Sequence, residues 1–187
     1  KLEGINADIV FIGNSRTWHS LDADTASQKT GHNIYALAQD GWQVRLLNQK
    51  LKTYLKQNRQ PEFFFIQADP AFLGTRTNWY SKSNFLKYLF LDREGLQGLM
   101  KGYEGYHWWD WSIPTIRYAG LPGRYIIDAT GSNMGIHRRH GTLPESAGVQ
   151  ERLPAIPMDV WKCSVRSTAW IDSLKGQCPS SKIILWH

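Results

Sequence analysis

Along the first 70 residues, short apolar runs alternate with amphipathic stretches. Ile9-Val10-Phe11-Ile12 is a continuous apolar run closed by Gly13, the pattern of a strand covered on both faces. Residues 21–31, L-D-A-D-T-A-S-Q-K-T-G, carry a helix start at Asp22 or Asp24 and a glycine stop at Gly31. A second short strand is predicted from Asn33 to Ala38, ended by Gln39-Asp40-Gly41. Val44, Leu47, Leu51, Tyr54 and Leu55 then recur at three- and four-residue spacing with polar residues between them, which predicts a helix. Pro61 marks its exit. Phe63-Phe64-Phe65-Ile66 is a third buried-type strand, ended by Gln67-Ala68-Asp69-Pro70. Strands and helices in strict alternation predict an α/β domain built on a parallel, doubly wound sheet.

Beyond Leu73 the pattern loosens. Residues 82–101 read as two short helices, the second interrupted by Gly95 and Gly98. Residues 102–157 are rich in Gly, Pro and aromatics and hold no sustained period. Such a length of irregular chain inside a domain reads as a functional insertion or lid. Periodicity returns with Val160, Trp161, Val165, Ala169 and Leu174, a helix leading into an apolar strand at 182–186. The chain opens on Lys1-Leu2-Glu3-Gly4 without an initiator Met and closes on K-I-I-L-W-H with no turn after it. The expectation is one domain over 1–187, incomplete at its C-terminal end.

Composition narrows the partners. With 187 residues, 42% hydrophobic and 20% charged, the chain has enough apolar sequence for one sizeable core. No apolar run approaches the roughly 18–20 residues that span a bilayer. The formal charge of +6 is diffuse. Lys50, Lys52, Lys56 and Arg59 fall on the polar side of the helix at 44, and Arg138-Arg139 lie far from them in sequence. Without clustering or a reading motif this excludes nucleic acid as the expected partner. Attraction to an anionic envelope polymer or membrane surface stays open. Cys163 and Cys178 fit either a disulfide or two reduced thiols, since spacing does not fix Cα geometry. No C-x-x-C and no His/Cys zinc spacing occurs, and the chemistry developed below implies neither a metal nor an organic cofactor.

The candidate chemistry lies at the first strand end. Ser15 follows a strand and a glycine at the start of a helix or tight turn, where backbone N–H groups point outward and stabilise an oxyanion. A serine so placed is a candidate nucleophile when a base is within reach. It is not the G-x-S-x-G elbow, because Thr17 takes the last position. In a parallel sheet ligands bind beyond the carboxyl ends of the strands. The three early strands all end there in polar residues: Gly13-Asn14-Ser15, Gln39-Asp40-Gly41 and Gln67-Ala68-Asp69. Nucleotide binding fits less well, since both G-x-G-x-x-G and the P-loop pattern are missing.

Residues 8–73 so arranged resemble the SGNH (GDSL-like) hydrolase superfamily, and within it the bacterial cell-envelope branch that includes polysaccharide acetylation and teichoic-acid D-alanylation proteins. The resemblance implies a flavodoxin-like, three-layer fold and a serine-dependent acyl-ester hydrolase or O-acyltransferase acting on an envelope carbohydrate. Gly13-Asn14-Ser15 matches the block that carries the nucleophile, with Arg16 the arginine that often follows in this branch. Gly41 matches the glycine whose N–H joins the Ser15 N–H in the oxyanion hole. Asp69 stands where the third block has an asparagine; ionised, it would repel the oxyanion, so it must be protonated or turned elsewhere. The Asp-x-x-His block that supplies the base is missing from the 187 residues, and the resemblance places it beyond the strand at 182–186. It also implies a periplasmic or extracellular location and a membrane-associated acylation partner.

Two histidines are local alternatives for the base. His19 would share a helix face with Ser15 if residues 15–19 are helical. His187 closes the last strand at the same sheet edge. Tyr106-His107-Trp108-Trp109-Asp110-Trp111 is the densest aromatic cluster. Trp108, Trp109 and Trp111 read either as a sugar-stacking surface or as the small core of an irregular segment. The first option supports a rival function, a non-catalytic polysaccharide-binding or assembly module on the same fold.

Overall fold

Four parallel strands form one sheet in the order β2-β1-β3-β4. The computed structural model describes residues 2–39, 44–68, 93–100, 107–113 and 169–186. The chain divides into two compact units, Lys1–Thr75 with Arg138–His187, and Arg76–His137. In the first unit the elements run β1 (Ile9–Gly13), α1 (Ser15–Ser20), α2 (Ala23–Thr30), β2 (Ile34–Ala38), α3 (Val44–Gln57) and β3 (Phe63–Gln67). The second unit contributes α4 (Arg93–Met100) and α5 (Trp109–Ser112), and the first unit ends with α6 (Ala169–Gln177) and β4 (Lys182–Trp186). No helix among the described residues is long and apolar enough to cross a membrane.

β1 lies between β2 and β3, with Ile12 level with Leu37 on one side and with Ile66 on the other. The chain leaves β1 toward β2, then passes back over β1 to reach β3. Right-handed crossovers therefore put α1 and α2 on one face and α3 on the other. Successive side chains alternate between faces. On the α3 face Val10, Ile12, Leu37, Phe64 and Ile66 are almost wholly buried, against Leu47, Leu51 and Tyr54 of the helix. On the opposite face Phe11 stacks on Phe65 at 4.7 Å between ring centroids, and Trp186 meets Phe11 edge-on. This order, with its reversal between β1 and β3, is compatible with a flavodoxin-like layout.

The predicted helix signals at 21–31 act as expected. Asp22 caps α2 by accepting from the Thr25 N–H, and Gly31 ends it at φ 73°, its N–H donating to the Ser27 carbonyl. Two expectations need correction. Lys50 is not on a solvated helix face: it is buried, and its ammonium reaches the Ala38 carbonyl at the end of β2. A long aliphatic stem can pack along the core while only the head seeks oxygen. The helix at Arg93–Met100 also runs unbroken through Gly95 and Gly98, because glycine weakens a helix by only about 1 kcal/mol relative to alanine. Of the predicted helix near the C-terminus, Ala169 and Leu174 lie in α6, whereas Val160, Trp161 and Val165 lie outside the described residues.

Candidate functional site

The turn after β1 is built around a crowded glycine. A Cβ on Gly13 would stand 1.8 Å from Thr17 Oγ1 and 2.4 Å from Gln67 Oε1. Gly13 is therefore required by close approach: two side chains meet directly above its Cα. Thr17 donates from Oγ1 to Gln67 Oε1 at 2.8 Å, and both residues are buried. Gln67 Oε1 also accepts from the Asn14 N–H at 3.1 Å, while Gln67 Nε2 donates to Asn14 Oδ1 at 2.9 Å. Asn14 Oδ1 accepts a second bond from the Arg16 N–H, capping α1. The last residue of β3 and the first turn of α1 are thus stitched together across the carboxyl end of β1.

The bonds leave a specific remainder. The first N–H groups of a helix have no intrahelical acceptor. Here those of Asn14 and Arg16 are occupied by side chains. Ser15, between them, has neither an N–H acceptor nor a hydroxyl partner among the described residues, and it is half-buried. Arg16 is exposed beside it. Residues 15–19 are helical, so His19 does share a helix face with Ser15, one turn on. The His19 ring rests against Trp18 with 4.6 Å between centroids.

Gly41, Asp69 and His187 lie outside the described residues. Trp108 and Trp109 belong to the second unit. Trp108 is 67% exposed and meets Trp109 edge-on at 5.7 Å, and His107 stacks on Trp109 at 4.3 Å. Trp111 sits in the same helical turn, α5. Cys178 is a free, buried thiol whose pKa burial pushes up, and Cys163 lies outside the described residues. Among the described residues no group of three His, Cys, Asp or Glu side chains is placed to hold a metal ion.

Sequence inspection passed over the two residues that organise the turn. Gln67 had been visible only as the start of a polar strand end, and Thr17 only as the residue that breaks the G-x-S-x-G pattern. The available signal was a lone amide closing an otherwise apolar strand, F-F-F-I-Q; a buried amide must find partners. Lys50, expected on the polar side of α3, instead brings its ammonium to the carboxyl end of β2. Compared with known proteins, the chain matches no family model, no curated protein and no solved structure.

Proposed function

We propose that the chain carries a serine-nucleophile site of SGNH type, acting on an acyl ester of a cell-envelope carbohydrate by hydrolysis or acyl transfer. The observation that carries this reading is the state of Ser15. It sits at the carboxyl end of β1, beside the β1–β3 reversal of strand order, where open α/β sheets bind ligands. Its turn is held by buried and part-buried bonds, yet its own hydroxyl and N–H have no partner among the described residues. A residue required only for capping would use its hydroxyl as a cap, and Asn14 already fills that role.

In this mechanism Ser15 Oγ attacks the ester carbonyl and passes its proton to a histidine base. The carbonyl oxygen becomes an oxyanion, stabilised by the Ser15 N–H together with the Gly41 N–H. Collapse of the tetrahedral adduct breaks the ester C–O bond, and the base returns the proton to the leaving hydroxyl. Water or a sugar hydroxyl then attacks the acyl-serine, which separates hydrolase from transferase. The resemblance assigns the base to a histidine, and within the sequence His19 and His187 are the candidates. Asp69, if it joins the oxyanion hole, must do so protonated.

A fluorophosphonate probe tests the reading, because an unactivated serine does not react with it. The protein is expected to be labelled at Ser15, and Ser15→Ala to abolish labelling while leaving the unfolding midpoint unchanged. Labelling that persists in Ser15→Ala, or none in the wild type, would sink the reading.

A polysaccharide-binding module is the second reading, and the exposed Trp108 ring favours it. Flat apolar rings stack on sugar faces. Affinity for soluble envelope glycans, measured by calorimetry, should then fall about tenfold in Trp108→Ala. Unchanged affinity removes this support.

A further inference from the structure

Gln67 is 1% exposed, at the end of a strand whose other residues are apolar. An aliphatic side chain would fill that volume without a buried amide's demand for partners. Three of its hydrogen bonds go to the Ser15 turn: two accepted by Oε1, from Asn14 N–H and Thr17 Oγ1, and one donated by Nε2 to Asn14 Oδ1. The direction of each is forced. A backbone N–H can only donate, so the Asn14 N–H identifies Oε1 as the acceptor atom of Gln67. The Arg16 N–H identifies Oδ1 as that of Asn14 by the same logic. Nε2 must then donate to Oδ1, and the pair works in one orientation only.

We propose that Gln67 is the positioning residue of the Ser15 site, holding the Asn14 turn so that the Ser15 hydroxyl and N–H face the carboxyl edge of the sheet. This deepens the nucleophile reading above and rests on it. Gln67 touches no reacting atom in this scheme; it acts through Asn14.

Gln67→Glu isolates the donor without changing the shape of the side chain. Ionised, the glutamate still accepts from the Asn14 N–H and the Thr17 hydroxyl, but sets an oxygen against Asn14 Oδ1 where an N–H had been. Protonated, it regains one donor. Relative to wild type at the same pH, labelling of Ser15 should be slowed about ten- to a hundredfold at pH 8. The ratio should return toward unity at pH 5, since burial raises a carboxyl pKa. The charged and titratable groups on the adjoining helices, Arg16 and His19 on α1 and Lys50 on α3, are common to both proteins, so their own effect on labelling divides out. The cations Arg16 and Lys50 also favour the ionised form of the introduced carboxyl and set how low the pH must go for the ratio to recover. Amide hydrogen exchange at Asn14 and Arg16 should follow the same reversible course. Gln67→Met, apolar and of similar length, should be slow at both pH values.

A Gln67→Glu protein that matches wild type throughout, or is slowed by the same factor at both pH values, would make Gln67 a packing residue and overturn the proposal. If the wild type is not labelled at all, the nucleophile reading falls and exchange alone decides. Reversible loosening of the Asn14 and Arg16 amides in Gln67→Glu would uphold Gln67 as the holder of the turn, and no change would overturn it.

Discussion

All four strands point the same way, so the sheet has two chemically different ends. At the amino end a chain of polar groups is spent on structure. Asp8 accepts from the Asn33 N–H at 2.7 Å and pairs with Arg59. Asn6, held at φ 47°, donates its N–H to Asn58 and accepts from the Arg59 N–H and Nε. Asn58 Nδ2 in turn donates to the carbonyls of Leu2 and Tyr54, and Ser181 bonds the Pro61 carbonyl. At the carboxyl end, Gln67, Asn14 and Thr17 close on one another and leave Ser15 between them without a partner among the described residues. The same residue types do both jobs. The difference is that one end spends its donors and acceptors on joining four strand starts, and the other, among the described residues, leaves the Ser15 hydroxyl and N–H without a partner.

The contrast is sharpest at Gly13. Gly13→Ala forces a methyl into the space where Thr17 and Gln67 meet. Overpacking of this kind typically costs about 1–3 kcal/mol, and relief by displacing Gln67 would also release the Asn14 turn. The expected outcome is a lower urea midpoint together with loss of Ser15 labelling. A variant of wild-type stability and reactivity would show that the carboxyl end is not the tightly specified one.

A smaller effect belongs to the amino end. Asp8→Ala removes the acceptor for the Asn33 N–H and the partner of Arg59, and should lower stability by about 1 kcal/mol, because the site is partly exposed. Ser15 labelling should not change. The Asp8 carboxyl is held below its ordinary pKa of 3.8, first by the Asn33 N–H and then by Arg59, with burial acting in the opposite direction. A depressed folded-state pKa stabilises the fold fully above the unfolded value and loses that contribution as pH falls through the folded one. The stability gap between wild type and Asp8→Ala should therefore be constant from pH 7 to about 5 and shrink below pH 4. A gap that persists at pH 2 would mean that the carboxylate's charge is not what holds the strand starts.

The fold was more legible than the site, and particular residues show why. The cap at Asp22, the stop at Gly31 and the apolar stripe of α3 act over three or four residues, so spacing alone exposes them. Ser15 at the end of β1 was legible for the same reason. Gln67 was not, because its bond to Asn14 spans 53 positions and leaves no local period. Lys50 looked like a solvated lysine among others, since which flank of α3 the sheet covers is decided only when β2 is in place.

Local sequence specifies the alternation of strands and helices, several of their ends, and a serine displayed after the first strand. Those features follow from backbone sterics and hydrogen bonds between near neighbours. Tertiary structure decided the order β2-β1-β3-β4, which sets β3 beside β1, and with it the meeting of Gln67, Thr17 and Asn14 around Gly13. Only that meeting turns a common strand–glycine–serine turn into one conformation, since its hydrogen bonds join residues that nothing but the folded sheet brings together.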